Sequence, residues 1–563
     1  MSKNSKNILS QKEIKQLLKA VPAGLREYIS DLESQVRNMA NIGLALSKEK
    51  DMDKLLEMIL LEAKRIANAD GGTLYMMTED HRLKFEIVMT DSLNFHMGGT
   101  SGKEIPFYPI RLYKEDGSPN KNMIAAFVGL TGETVNIPDA YVAEGFDFSG
   151  TKAFDKKTGY RSKSFLTVPL KNHEDEIIGV LQLLNAQDRK TGEVVPFSKE
   201  IQGMVEGLAS QAAVAITNKN LIRDLEVLFE SFIKLIASAI DAKSPYTGGH
   251  CSRVPEITMM LAEAVNNCTE RPFADIHFTD REMYELKIAA WLHDCGKVAT
   301  PEYVVDKATK LETIYDRIHT VETRFEVLKR DLEIKRLKKE LRLQADTTLS
   351  EEEKKKALRV LRKKTRVLLK QLDDDLAFIK EANIGGEFMS PEKKERVAKI
   401  AKYQWKENGV KKDLLSEREV YNLCISRGTL TNEERKVIND HIVITIEMLE
   451  KLPYPKHLQN IPEFAGGHHE KLDGTGYPKG LTKDEMSIQA RMMAIADIFE
   501  ALTAKDRPYK KGKTLSQAMR ILGFMKNDAH IDAELFDVFV KNKIYLDYAQ
   551  KYLDPKQIDE VNL

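Results

Sequence analysis

The sequence predicts a multidomain protein in which an α+β domain built on an antiparallel sheet is followed by an all-α helical bundle carrying a long helical-hairpin insertion. Three observations predict it. At 563 residues the chain is too long for one hydrophobic core. In the first third, two pairs of apolar, strand-like runs are joined by short polar turns. In the second half, apolar residues and histidines recur at steps of three and four behind helix-capping sequences.

Composition narrows the function classes. Hydrophobic residues make up 42% and charged residues 31%, the balance of a soluble folded chain. Lys plus Arg and Asp plus Glu both total 86, so no global field favours DNA, RNA or an anionic membrane, and any phosphate recognition is local. Cys251, Cys268, Cys295 and Cys424 form no C-x-x-C pair, which fits reduced thiols and excludes a zinc ribbon or disulfide framework. The N-terminus lacks an apolar signal core, and no run of about 18 apolar residues occurs. The expectation is a cytoplasmic protein without membrane insertion.

Residues 1–44 read as a helical lead-in. From Met52 to Ala69, Leu55, Ile59, Ala63 and Ile66 recur as in an amphipathic helix. The runs G-G-T-L-Y-M-M and L-K-F-E-I-V-M flank a turn at Glu79-Asp80, and S-F-L-T-V-P-L and I-I-G-V-L-Q-L-L-N flank Asn172–Glu176. Both predict antiparallel hairpins. This order, running into a helix beyond Phe197, resembles a GAF sensor domain over about residues 45–217, which implies an unknown small ligand. Cyclic-nucleotide-binding members often carry an Asn-Lys pair; here Ala186 follows Asn185, so the resemblance does not extend to that ligand.

Over residues 218–240, Leu221, Leu225, Leu228, Phe232, Leu235 and Ala239 alternate steps of four and three. The stripe suits the seam of a homodimeric signalling helix and equally a helix packed on its own domain. Between 312 and 425 a charged, coiled-coil-like insertion carries two apolar stripes, Ile314 to Leu332 and Leu358 to Leu376. They predict an antiparallel helical hairpin turning at Asp346–Thr348, with Ser350 and Glu353 as the capping box of the return helix. Its many lysines read as solvated faces.

Five of the twelve histidines fall in four settings: G-G-H-C at His250, W-L-H-D-C-G-K at His293, N-D-H-I at His441 and G-G-H-H-E-K-L-D-G-T-G-Y-P at His468 and His469. Thr279 with Glu282, and Thr431 with Glu434, cap two helices. On the first, His293 shares a face with Leu286 and Ala290; on the second, His441 aligns with Val437, Thr445 and Met448. His250 aligns with Val254, Ile257 and Leu261, and Asp497 with Met493, Ala501 and Ala504. Asp294 and Asp497 among apolar side chains would each cost several kcal/mol to desolvate unless a divalent cation compensates both.

H-D-x-G-K, H-H-E-x-x-D-G-x-G-Y-P and D-x-F-x-A-L followed by R-P-Y-K occur in this order. On them the C-terminal half resembles the HD-GYP family of HD phosphohydrolases, in two parts at 241–311 and 426–550, with a tail at 551–563. The resemblance implies a cyclic dinucleotide phosphodiesterase that converts cyclic di-GMP to pGpG, and on to GMP, through a metal-bridged hydroxide. It also implies metal ligands at His250, His293, Asp294, His441, His468, His469 and Asp497, with Asp294 bridging two divalent ions, iron or manganese by residue type. Some members hold a third ion through a glutamate where this chain has Tyr246, so two are expected. Lys297 is expected to offset charge on the phosphate, and Arg507 and Lys510 to grip phosphates. Asp473, Gly476, Tyr477 and Pro478 are expected to form a stiff loop that contacts substrate, associated in relatives with GGDEF-type partners. The competing readings are the hybrid GMP-AMP dinucleotide as substrate, and a receptor or scaffold with little turnover.

Overall fold

A computed structural model describes residues 22–243, 248–504 and 512–562. Tyr246, Arg507 and Lys510, and the first half of the lead-in, lie outside these residues. The chain divides into two compact units, Met1–Val227 and Leu228–Leu563.

In the first unit, α1 (Ala23–Lys48) precedes α2 (Met52–Ala67). Asp51 starts α2 by accepting from Lys54 N at 3.0 Å. Its stripe of Leu55, Leu56, Ile59, Leu60 and Ala63 is buried, each large aliphatic contributing roughly 1.5–3 kcal/mol. Asn68 ends the helix in the left-handed region, φ 46°. The chain then forms β1 (Ala69–Met77), β2 (Arg82–Thr90), β3 (Phe95–Gly98), β4 (Ile110–Arg111), α3 (Ile124–Thr131), β5 (Val135–Ile137), α4 (Ser149–Thr158), β6 (Phe165–Lys171), β7 (Ile177–Gln187) and β8 (Val194–Val195). The sheet order is β3-β2-β1-β7-β6-β5, with β4 on β2 and β8 on β7. β1 with β2 and β6 with β7 are the two antiparallel hairpins expected from sequence.

The helix α5 (Lys199–Lys243) follows without a break. Leu221, Leu225, Leu228, Phe232 and Leu235 are exposed, and Ile233, Ala237 and Ile240 are buried instead. The stripe read from sequence therefore is not packed on its own domain.

The second unit contains α6 (His250–Asn266), α7 (Asp280–Leu292), a 3-10 turn at Cys295–Ala299 and the short α8 (Glu302–Val305). The insertion follows as α9 (Ile318–Ala345) and α10 (Glu351–Ile384), packed on each other, with Ser350 and Glu353 forming the capping box. The insertion is not purely helical. Beyond α11 (Pro391–Ala401), a hairpin pairs β9 (Gln404–Glu407) with β10 (Val410–Asp413) before α12 (Glu417–Leu423). Asn408 and Gly409 turn it with φ of 51° and 81°, the Asn-Gly signal of a tight hairpin. Ile314, expected on the α9 stripe, is 96% exposed, because it precedes the helix.

The bundle closes with α13 (Asn432–Glu450), α14 (Ile461–Gly466), α15 (Ile488–Thr503), α16 (Leu515–Asn527), α17 (Ala533–Lys541) and α18 (Ile544–Tyr552). Capping boxes at Thr279–Glu282 and Thr431–Glu434 open α7 and α13 as expected. On α13 the buried face is His441, Ile442, Thr445, Ile446 and Leu449, while Val437 and Met448 are exposed. The inward face is rotated from the sequence expectation, because α13 packs against both the Cys295–Ala299 turn and α14. Among the described residues no helix is long and apolar enough to cross a membrane.

Candidate metal centre

Five segments converge. His250 stands in the first turn of α6, His293 caps α7, Asp294 follows it, His441 projects from α13, His468 and His469 follow α14, and Asp497 lies on α15. The tight Cys295–Ala299 turn brings Asp294 against α13. Gly296 permits this, since a Cβ there would lie 2.0 Å from His441 O, and Gly296 N donates to Thr445 Oγ1 at 2.9 Å.

Three histidines are oriented by backbone carbonyls. Nδ1 of His293 donates to Ala290 O at 2.8 Å, Nδ1 of His468 to Ala465 O at 2.6 Å, and Nδ1 of His441 to Ile438 O. Each bond leaves Nε2 as a lone pair facing the cluster, which is how proteins present imidazole to metals. His250 differs: its Nδ1 donates to the buried carboxylate of Glu500, whose other oxygen accepts from Arg253 Nε at 2.7 Å.

Asp294 lies at the centre. Its Oδ2 is 3.1 Å from His250 Nε2 and 3.2 Å from His293 Nε2, and also takes the Lys297 ammonium; its Oδ1 is 3.2 Å from His441 Nε2. Asp497 Oδ1 is 3.2 Å from His250 Nε2. His469 Nε2 is 3.3 Å from His441 Nε2. Ligand atoms of His441, His468 and His469 lie within 4.8 Å of one another, as do those of His250, His293 and Asp497 and those of His293, Asp294 and His468.

The residues fit divalent cations. His293 Nε2, His468 Nε2 and Asp294 Oδ1 are buried without a hydrogen-bond partner, the last with His441 Nε2 at 3.2 Å. Unsatisfied buried polar atoms of this kind cost about 1–3 kcal/mol each, and a shared cation satisfies them together. Without one, the compensating charge comes from His250 and Lys297.

Burial opposes protonation of His250, but the charge of Glu500 and hydrogen bonds to Asp294, Asp497 and Glu500 raise its pKa well above the ordinary value. Burial likewise opposes ionisation of Asp294 and Asp497. Lys297 and His293 outweigh it at the first and His250 at the second, holding both carboxyls below the usual carboxylate range. Burial depresses His468, helped by His469 and His293, and depresses His469 to about 4.

The structure thus brings together His250, His293, Asp294, Lys297, His441, His468, His469 and Asp497. Lys297 contacts Asp294 rather than standing free. Tyr477 stacks on His469, with ring centroids 4.9 Å apart and planes at 22°, so one ring face is occupied. Asp473 is exposed and accepts from Thr475 N at 2.9 Å, a turn-forming contact. Gly476 lets the loop close, since a Cβ there would lie 2.3 Å from Lys471 N, and the Tyr477–Pro478 peptide is cis.

Sequence reasoning missed Glu500, Arg253 and Glu470. Glu500 lies three residues after Asp497, one helical turn along, a spacing that could have singled it out. Glu470 is buried and accepts from Lys479 N at 2.7 Å and Leu481 N at 2.9 Å, tying down both strands of the loop.

Residues 51–216 match the GAF domain family, and residues 247–379 and 417–535 match HD domain families. A 3'3'-cGAMP-specific phosphodiesterase of Vibrio cholerae is 39% identical over 116 residues, 20% of this chain and 24% of the relative. A cyclic di-GMP phosphodiesterase of Thermotoga maritima is 34% identical over 119 residues, 21% of this chain and 32% of the relative. The chain thus spans about a quarter to a third of the length of these curated relatives. The GAF domain of an Acinetobacter phosphoenolpyruvate-protein phosphotransferase is 16% identical, covering 34% of this chain and 98% of that one with a TM-score of 0.24. The chain carries a GAF domain followed by a helix-rich HD region, and both relatives are named as cyclic dinucleotide phosphodiesterases.

Proposed function

We propose that this protein is a divalent-metal-dependent phosphodiesterase that opens cyclic di-GMP to pGpG and carries it on to GMP, under control of a small ligand at the GAF domain. The observation that carries the reading is Asp294. One of its oxygens faces His250 and His293 and the other faces His441, so a single carboxylate joins two donor sets. His293, His250 and Asp497 would hold one ion and His441, His468 and His469 the other, iron or manganese suiting the mixed imidazole and carboxylate donors. When bound, such a pair supplies an activated water nucleophile and neutralises charge developing on the phosphate.

The chain's own residues do the rest. Glu500 and the backbone carbonyls fix the imidazoles. Lys297, already drawn to Asp294, offers the charge that offsets a phosphate oxygen. Arg507 and Lys510 would bind the second phosphate, and the loop from Asp473 through Gly476 to Pro478 would border the substrate through Tyr477. The same loop is the proposed contact for a GGDEF-type protein. The exposed Leu221–Leu235 stripe would serve as the seam of a homodimer.

A second reading, hydrolysis of the hybrid GMP-AMP dinucleotide, is favoured by the Vibrio cholerae relative. The test is anaerobic turnover of both dinucleotides by the full chain reconstituted with iron or manganese, beside Asp294→Ala. Metal-dependent pGpG and GMP, absent in the variant, are expected; tight binding without product would replace the enzyme by a receptor.

A further inference from the structure

Beside the His468–His469 end of the metal centre lies a cavity of about 340 Å³, bounded on one side by both histidines and Asp497. That volume is within the range of small-molecule sites. Its floor is the outer face of α15, where Ile498, Ala501 and Leu502 remain partly exposed. Ala501 lies one turn beyond Asp497, so a molecule held at the metal ligands reaches this surface directly. Tyr477 forms a side wall.

Two cations line the same space, Lys471 and Lys513. Both are half-buried, and neither ammonium forms an ion pair among the described residues; the Asp473 carboxylate feels the charge of Lys471 while accepting its hydrogen bonds from Thr475. The backbone of Lys513 is fixed, its N–H donating to Leu502 O at 3.0 Å and its carbonyl accepting from Gln557 Nε2 at 3.0 Å. An apolar floor is a poor place for a phosphate, whose desolvation it would not repay, and a good one for the face of a planar heterocycle. The two lysines, neither in an ion pair among the described residues, then meet the edge of that ring. Guanine presents two acceptors there, O6 and N7, whereas adenine places an amino donor beside N7 and repels an ammonium.

We infer that this cavity is the subsite for the purine next to the scissile phosphate, and that Lys471 and Lys513 make it select guanine over adenine. The inference rests on the proposed function for its substrate class, yet its test needs no turnover. Calorimetric binding of 5′-GMP and 5′-AMP is measured on the manganese-reconstituted full chain and on Lys471→Met, Lys513→Met and the double variant. Methionine keeps the length of the stem, and metal content and melting temperature report that fold and centre are intact.

The wild type should favour GMP by about tenfold or more, the scale of a good base-edge contact. The double variant should lose that preference through weaker GMP binding alone. Equal weakening for both nucleotides would mean a phosphate clamp and would overturn the inference, as would an unchanged ratio or a wild type without preference. A chain that prefers GMP but cleaves no cyclic dinucleotide would overturn the proposed function and leave the subsite standing.

Discussion

Glu500 accepts the Nδ1 hydrogen bond of His250 while its second oxygen accepts from Arg253, so a carboxylate that is only 1% exposed fixes which nitrogen of His250 faces Asp294 and Asp497. The other three anchored histidines use backbone carbonyls, which mutation does not remove. Glu500→Gln should therefore weaken metal binding by about 10- to 100-fold while helicity is retained. Competition titration with a chelating dye measures it; unchanged affinity would show that His250 needs no carboxylate partner.

Asp294 contacts both histidine sets, and its loss should be felt by both. Asp294→Ala is expected to abolish phosphodiester hydrolysis and to empty more than one ion per chain. His293→Ala should likewise abolish turnover, because it removes a metal donor whose buried Nε2 makes no hydrogen bond and faces Asp294. Elemental analysis beside product chromatography checks both, and wild-type-like activity in either variant would sink the two-ion assignment.

His468 is depressed and His469 is depressed to about 4 by burial, so in the metal-free fold both stay neutral where the unfolded chain takes up protons. Between about pH 6.5 and 4 the unfolded state binds more protons, and stability rises with pH across that window. His469 alone accounts for roughly 3 kcal/mol of stability lost on acidification across that window, at about 1.4 kcal/mol per pKa unit. His250, raised instead, acts oppositely: its contribution is complete below its unfolded pKa and fades as pH climbs through its folded one. Both tryptophans, Trp291 and Trp405, lie in the second unit, so their fluorescence reports its unfolding. The metal-stripped chain should lose stability on acidification, and His469→Gln should flatten the dependence; an equal slope in the variant would assign it elsewhere.

At Gly296 an added Cβ would lie 2.0 Å from His441 O and 2.6 Å from Thr445 N, both backbone atoms of α13. Gly296→Ala should destabilise by about 1–3 kcal/mol, the usual cost of overpacking, and should lower metal occupancy because α13 carries His441. A melting curve and a metal assay on one preparation test both halves.

Glu470 holds Lys479 N and Leu481 N from a buried position, next to His469. Glu470→Ala strands two donors, so the loop should loosen. The expected result is a larger loss in kcat/KM than in melting temperature; a proportionate fall in both would make Glu470 a general stability residue.

Much of this was legible beforehand. The paired runs around Glu79-Asp80 and Asn172–Glu176 announced the hairpins, because strand alternation and turn residues are local properties. The capping boxes at Thr279, Ser350 and Thr431 marked helix starts for the same reason. The Asn408-Gly409 hairpin was equally local, and was hidden by the long charged helices around it. The buried face of α13 lies a fraction of a turn from the one periodicity predicts, since α14 and the Cys295–Ala299 turn decide which side is buried.

The sequence by itself determined the chemistry available: five histidines and two aspartates in motifs whose order and residue types suit a pair of cations, behind a sensor-like sheet. Only the tertiary structure decided how they are used. Asp294 stands between two donor sets, Glu500 rather than a carbonyl orients His250, and Lys513 shares a cavity with Lys471 and His469, although it comes from a segment far along the chain. Residue identity fixes what an atom can donate or accept. Which atoms meet depends on the packing of helices, and that is a property of the whole core.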